Sequence, residues 1–418
     1  MVGGVVHVIG AGMAGLACAV ELTRHGRRVI VHEATTHAGG RCRSFVDDVI
    51  DRMIDNGNHL ILSGNVAVHA YLNHVGAENA LVGPERADFP FFDLDTGERW
   101  NLQPGAGCIP WWLLVPGRRI PGTGLAEYVR GFRLAFACSE DTVTSRVGAC
   151  GPLVRRLWEP LTVAVLNATP DEAAASLLWP VIRETFGRGE AACRPRVARR
   201  GLGPDLVEPG IDWLKRNGCQ VQFSHRLRAL GPVEGQATAF LSFAGERIDL
   251  GVGDAVVLAV PPTAASELLP GLTVPQGSRA IVNAHFRLPA ERAGPFVIGL
   301  IGGTSQWLFV RSDVASVTVS AADALAEEPA DDIAARIWPE VCRALDLGPQ
   351  PLPQYRIVKE KRATFAQTPS EVARRPAATT RWKNLWLAGD WTDTGLPATI
   401  EGAMRSGLTA ARFAMMAV

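Results

Sequence analysis

The stretch Val5-Val6-His7-Val8-Ile9-Gly10-Ala11-Gly12-Met13-Ala14-Gly15-Leu16 decides the fold. Its first five residues are short, mostly β-branched and bounded by glycine, so they read as a buried strand. Gly10 permits a tight turn, and Gly12 lets the backbone approach a pyrophosphate. Gly15 lets the next helix pack onto the strand, which aims the helix N-terminus at the anion. Met13 and Ala14 open that helix, and Leu16, Ala17, Val20 and Leu22 give it an apolar face. A second strand, Arg28-Val29-Ile30-Val31-His32, ends in Glu33, placed to accept hydrogen bonds from ribose hydroxyls. The rival reading is a glycine-rich turn in an ordinary βαβ unit. The flanking strand, helix and acid argue against it.

Ala38-Gly39-Gly40-Arg41-Cys42-Arg43 follows. Gly40 permits close approach and Arg41 can pair with phosphate oxygens, whereas a solvated turn is the alternative for Arg41 and Arg43. A simple nicotinamide site does not need this second element, so FAD is expected rather than NAD. In Asp55-Asn56-Gly57-Asn58-His59, a glycine between polar residues at the mouth of an apolar run suggests backbone passing close to a ligand. His59 is read as a flavin neighbour in preference to a satisfied core histidine.

At the other end, Asn384-Leu385-Trp386-Leu387-Ala388 is an apolar strand ending in Gly389-Asp390. Asp390 is placed to hold ribityl hydroxyls or the phosphate region. A last helix, opening near Pro397, would aim the N–H groups of Ala398, Thr399 and Ile400 at the flavin pyrimidine edge.

The 418 residues are 47% hydrophobic and 20% charged, enough for two domains with a sizeable core. Lys plus Arg and Asp plus Glu balance at 42 each, which argues against a nucleic-acid partner. The eight cysteines, Cys18, Cys42, Cys108, Cys138, Cys150, Cys193, Cys219 and Cys342, show no CxxC spacing. No metal site or disulfide framework is expected, and a reducing cytoplasm fits. The nucleotide strand begins within a few residues of Met1, which leaves no room for a signal peptide. No apolar run reaches the roughly 18 residues of a spanning helix. The 295–310 run reads as strand-turn-strand.

Between the two ends the composition changes. Aromatic residues cluster from about Ala87, and the run from Gly107 to Pro116, followed by Arg118 and Arg119, reads equally as a buried core strand or as a segment dipping into a membrane surface. Thr123 to Cys138 predicts an amphipathic helix whose stripe Leu125, Val129, Phe132 and Phe136 faces the core. Further helices are expected over Gly151–Leu166, Asp171–Phe186 and Ile211–Asn217, the last capped by Gly218. Arg194, Arg196, Arg199 and Arg200 are read as a solvated loop. Strands are expected over Cys219–Phe223, continuing through His225–Leu230 with Leu227 apolar, and over Asp254–Pro262, the latter buried on both faces. More strands follow at Ala280–Leu288, Phe296–Ile301, Ser305–Arg311 and Ala315–Ser320, then a helix over Asp331–Leu345. The expected class is α/β, α+β overall: a Rossmann-like FAD-binding domain in three parts, 1–86, 201–272 and 381–418. A mixed sheet-and-helix substrate domain is inserted as 87–200, helical and with possible membrane contact, and 273–380.

These pieces together resemble the FAD-dependent amine oxidase and phytoene desaturase superfamily, whose marks are GxGxxG with a following acid, GGR, a VVLAVPP-like strand and a terminal GD followed by EGA. Within it, the 55–59 block, the 388–403 block, Trp158-Glu159-Pro160-Leu161 and Leu166-Asn167-Ala168-Thr169-Pro170 resemble the squalene-associated desaturases, a group of hydroxysqualene dehydroxylases of squalene and hopanoid synthesis. Asn58 stands where that group has glutamine, which keeps an amide. The resemblance implies an FAD site made of Gly10, Gly12, Met13, Ala14, Gly15, Glu33, Gly40, Arg41, Gly57, Asn58, His59, Leu227, Gly389, Asp390, Ala398, Thr399 and Ile400. It implies loss of an allylic hydroxyl as water and hydride transfer from reduced flavin N5 to the allylic cation, in a long apolar pocket. His59 and Asp393 are the candidate acids, and Trp391 and Trp111 the candidate cation stabilisers. The implied setting is cytoplasmic, peripheral on the inner face of the membrane, beside squalene-synthase-like enzymes. The rivals are a desaturase or saturase of another polyprenoid, an amine oxidase, and a flavin-free prenyl-binding chaperone.

Overall fold

The computed structural model describes residues 4–232, 237–294 and 296–416. Five strands form an all-parallel sheet in the spatial order Gln220–Gln222, Arg28–His32, Val5–Ile9, Ala255–Leu258, Leu385–Leu387. Ala255–Leu258 is buried along its whole length, as a central strand covered on both faces must be. The helix Met13–Arg24 lies on this sheet and packs on the last helix, Ile400–Met416. The two backbones touch at Gly407, where a Cβ would stand 2.1 Å from the Ala14 carbonyl oxygen.

A second sheet has seven strands in the order Tyr355–Phe365, Ser278–Arg287, Val314–Val319, Trp307–Arg311, Phe296–Ile301, Phe89–Asp93, Arg99–Leu102. All its pairs are antiparallel except Phe296–Ile301 with Phe89–Asp93. The helix Ala330–Ala344 covers one face through Ile333, Ile337, Trp338 and Val341. Short helices between 111 and 193 build a third apolar cluster around Leu134, Leu153, Leu166 and Leu178.

Several elements differ from the sequence reading. The 107–116 run is no strand: it holds the short 3-10 helix Trp111–Leu114, with Ile109, Trp111, Leu114 and Val115 exposed. The helix expected over 123–138 is Leu125–Gly131 followed by a 3-10 segment, Phe132–Phe136. Its stripe faces outward, with Leu125 37%, Val129 58%, Phe132 51% and Phe136 77% exposed, whereas Tyr128 and Leu134 point to the core. The helix expected from Asp171 begins at Ala175, because 171–174 form a turn in which Ala173 and Glu172 donate to the Thr169 carbonyl. The strand through 219–230 breaks at Ser224, whose φ of 53° leaves extended geometry, and resumes at Ala229. The 296–310 run does form strand-turn-strand; Pro295 lies outside the described residues.

Two histidines of the parallel sheet join a third in a chain. His7 Nδ1 lies 3.0 Å from His32 Nε2, His32 Nδ1 lies 2.9 Å from His225 Nδ1, and His225 Nε2 is 3.1 Å from Glu246. Neutral tautomers satisfy every contact if His225 donates from Nε2 to Glu246, and His32 and His7 each donate from Nδ1. Burial lowers the pKa of His7, against the pull of Asp254. Burial, then the two neighbouring imidazoles, push His32 down to about 3, opposed by Gln222. The unfolded chain takes up protons near 6.5 that these rings refuse. Their stability is fully present above pH 6.5 and is lost between 6.5 and about 3. Urea midpoints should fall from pH 7.5 to 5, with a slope of at most about 1.4 kcal/mol per pH unit per ring. His32→Gln should flatten that dependence, and an unchanged slope would refute the assignment.

Candidate active site

The fingerprint divides its glycines by physical need. Gly10 has φ 107°, and a Cβ there would stand 2.4 Å from the Ala259 carbonyl oxygen; one on Gly15 would stand 1.9 Å from the Gly10 carbonyl oxygen. These two let strand and helix close on each other. A Cβ on Gly12 would meet nothing within 4 Å, so this glycine faces open space. Met13 and Ala14 are buried, leaving only their backbone to a ligand. The helix they open has no side-chain cap and no acid in its first turn, which keeps its N-terminal field available to an anion. Glu33 is buried: Oε2 accepts from Ala11 N at 2.8 Å, and Oε1 from Thr35 N at 2.8 Å and Thr35 Oγ1 at 2.9 Å. Gly40 abuts this cradle, its absent Cβ 3.5 Å from Gly12 Cα.

Arg41 closes the site from the other side. Its Nη2 donates to Asp390 Oδ1 at 2.8 Å and its Nη1 to the Ala363 carbonyl at 2.6 Å. One side chain thus ties the second nucleotide element to the C-terminal block and to the edge strand of the seven-stranded sheet. Asp390 holds the Arg41 guanidinium even more firmly protonated than usual. Gly389 N donates to Ser406 Oγ at 2.7 Å, which anchors the Gly-Asp turn to the last helix. That helix opens at Ile400, later than Pro397, and Ile400 is itself buried. The Ala398 N–H is engaged by Gln367 Oε1 at 2.8 Å and the Thr399 N–H by the Pro397 carbonyl at 2.8 Å. Leu227 is buried beside Ile9 and Leu258 in an apolar cluster.

The 55–59 loop lies on the seven-stranded sheet. Asp55 accepts from Arg311 Nη2 at 2.8 Å and from Leu202 N at 2.9 Å. Asn58 Nδ2 donates to Thr318 Oγ1 at 3.3 Å, Thr318 Oγ1 to Asn283 Oδ1 at 2.7 Å, and Asn283 Nδ2 to the Asn56 carbonyl at 3.2 Å. Gly57 sits over Asn283, where a Cβ would come within 3.3 Å of Nδ2. His59 is half-buried, with Nδ1 3.3 Å from the Gly57 carbonyl. Burial lowers its pKa, so the ring is neutral at pH 7. With Asp55, Asn58, Phe309, Arg311 and Ser316 it lines a cavity of about 30 Å³, room for a water or two. A cleft of about 960 Å³ opens elsewhere, apolar along Val154, Pro160, Val163, Leu300 and Ile301 and charged at Arg155, Arg156 and Glu159. The two share no lining residue.

Three sequence candidates fall away from this centre. Asp393 is exposed in a turn, accepting from Gly395 N at 3.3 Å. Trp391 is buried, its Nε1 donating to the Val260 carbonyl at 2.8 Å, and so it serves the core. Trp111 is 64% exposed. Conversely, sequence reasoning missed Asn283, His285, Ser316 and Thr318. They pair directly across two strands, Asn283 with Thr318 and His285 with Ser316. Their signal was polar residues two apart in otherwise apolar strands. Also missed was Arg375, buried and donating from Nη2 to the carbonyls of Asp390 and Thr392 and to Thr394 Oγ1, which fixes the turn after Asp390.

A family model described as flavin-containing amine oxidoreductase matches residues 13–414. The chain belongs to this family. Cyclohexylamine oxidase from Brevibacterium oxydans superposes on this flavin oxidoreductase with a TM-score of 0.67 over 99% of each chain, at 16% identity, which shows a shared fold. The hydroxysqualene dehydroxylase of Rhodopseudomonas palustris is 49% identical over 99% of this chain and 98% of its own. That of Sinorhizobium fredii is 46% identical over 98% of each. The cofactor of this flavin oxidoreductase is FAD, and the residues fit it: an open glycine where a pyrophosphate would lie, an uncapped helix aimed there and a buried carboxylate at the ribose position.

Proposed function

We propose that the chain removes the hydroxyl of hydroxysqualene reductively, giving squalene and water, with FAD as redox cofactor. Identity of 49% across almost the whole of both chains to a hydroxysqualene dehydroxylase carries this reading. In balance, the substrate alcohol and two reducing equivalents yield the hydrocarbon and one water. Reduced FAD supplies the hydride when bound. The chain must supply a proton to the leaving hydroxyl, and His59 is the proposed donor because it stands in the enclosed cavity of the 55–59 loop, whereas Asp393 faces solvent. Gly10, Gly12, Met13, Ala14, Gly15, Glu33 and Gly40 are the proposed adenosine-pyrophosphate cradle. Arg41, Gly57, Asn58, Leu227, Gly389, Asp390, Ala398, Thr399 and Ile400 are the proposed flavin end.

The proposed nucleotide unit is 1–86, 201–272 and 381–418, which contribute every strand of the parallel sheet. The proposed substrate unit is 87–200 and 273–380, and the apolar side of its large cleft is the proposed berth for the prenyl chain. Among the described residues no helix is long and apolar enough to cross a membrane. The reading places the enzyme in the cytoplasm, peripheral on the inner membrane face, downstream of a squalene-synthase-like enzyme that forms its lipid-soluble alcohol.

Anaerobic incubation of the protein with hydroxysqualene and reduced FAD should give squalene in equal amount to oxidised flavin. Inertness there, with desaturation of phytoene by the oxidised protein, would establish the desaturase reading instead. Protein that takes up no flavin yet binds prenyl chains would establish the chaperone.

A further inference from the structure

The outward stripe at 125–136 calls for an explanation. Leu125, Val129, Phe132 and Phe136 share one face, and all four are exposed. Ile109, Trp111, Leu114 and Val115 are exposed as well. The two segments are joined beneath: the Trp112 and Tyr128 rings meet edge to face at 6.2 Å, and Tyr128 Oη accepts from Ile120 N at 3.0 Å. The result is one apolar plate of eight large side chains. Soluble surfaces rarely carry so many together without a partner.

The charge around the plate selects the partner. Arg118, Arg130 and Arg133 are exposed, Arg119 is half-buried, and among the described residues none of the four has an acidic partner. Glu127, the acid on the same helix, is already engaged, accepting from Gly124 N at 2.8 Å and Leu153 N at 3.1 Å. An apolar face rimmed by unpaired arginines matches the acyl and phosphate layers of an anionic bilayer. A second copy of this chain would instead bring like charges together.

We propose that the plate formed by 109–115 and 125–136 seats the protein on an anionic phospholipid surface. Phe132, Phe136 and Trp111 enter the acyl boundary, and Arg118, Arg119, Arg130 and Arg133 contact lipid phosphates. Pro121 and Gly122, between the two halves of the plate, also line the large cleft. The cleft therefore opens beside the lipid, where an apolar substrate is dissolved. That last point rests on the proposed polyprenoid substrate; the docking itself does not.

The test uses the full flavin-loaded protein without substrate, so it is independent of the proposed reaction. The wild type should float with vesicles of phosphatidylcholine containing about 30% phosphatidylglycerol, and less with phosphatidylcholine alone. Phe132→Ser/Phe136→Ser should lower partitioning at least about tenfold with unchanged Tm and flavin absorbance. Arg130→Gln/Arg133→Gln should remove the preference for the anionic vesicles. Equal flotation of the serine variant would overturn the proposal. So would a fall in its Tm, which marks a core face, or a wild-type dimer that the serine variant converts to monomer, which marks self-association.

Discussion

Gly12→Val is expected to fold and to lose its flavin. Gly12 lies in extended backbone, φ −72° and ψ 177°, and a Cβ there meets nothing within 4 Å. The substitution therefore costs the apoprotein little. Its branched side chain projects into the space where a pyrophosphate needs direct contact with the helix N-terminus. Loss of that approach should weaken FAD by at least about 2 kcal/mol, or about 30-fold in Kd. Gly15→Ala gives the contrast, because its Cβ would strike the Gly10 carbonyl oxygen at 1.9 Å. It should lose about 1–3 kcal/mol of fold stability as an overpacked contact. Flavin absorbance after gel filtration and thermal melting separate the two. Equal flavin content in Gly12→Val and wild type would place the pyrophosphate elsewhere.

His59→Gln should lower dehydroxylation by about 10²-fold or more, the usual worth of a positioned proton donor, with flavin still bound. The pH dependence sharpens this. Burial holds the His59 pKa below its ordinary value, so the imidazolium fraction rises as pH falls toward that lowered pKa. Single-turnover rates should climb on acidification from pH 8 and level off below it, and the variant should lose the climb. The measurement belongs above pH 6.5, where the His7–His32 chain leaves stability untouched. A variant that keeps both rate and slope removes His59 from the proton path.

The two predictions differ in where their support lies. Gly10, Gly12 and Gly15 were legible because their constraint is local: one turn, one helix start, one strand. The same holds for Ala255–Leu258, whose unbroken apolar run tells of burial on both faces. The contact between Arg41 and Asp390 was not legible, since nothing in either motif says that one points at the other. Nor was the row Asn58, Thr318, Asn283. Each residue is unremarked in its own strand or loop, and only the register that sets Asn283 opposite Thr318 makes a network of them.

The stripe Leu125, Val129, Phe132 and Phe136 shows the limit most plainly. Helical spacing told which residues share a face, but an apolar face satisfies a protein core and a lipid surface equally well. Tyr128 and Leu134 took the inward side because the cluster beneath had room for them.

The sequence alone determined the nucleotide fold, the flavin and the family, because backbone turns and strand burial are written in contiguous residues. The tertiary structure decided which side chains meet at 55–59, which candidates stand apart from it, and which apolar face is left bare. Those depend on strands from distant parts of the chain coming into register, and no short stretch carries that information.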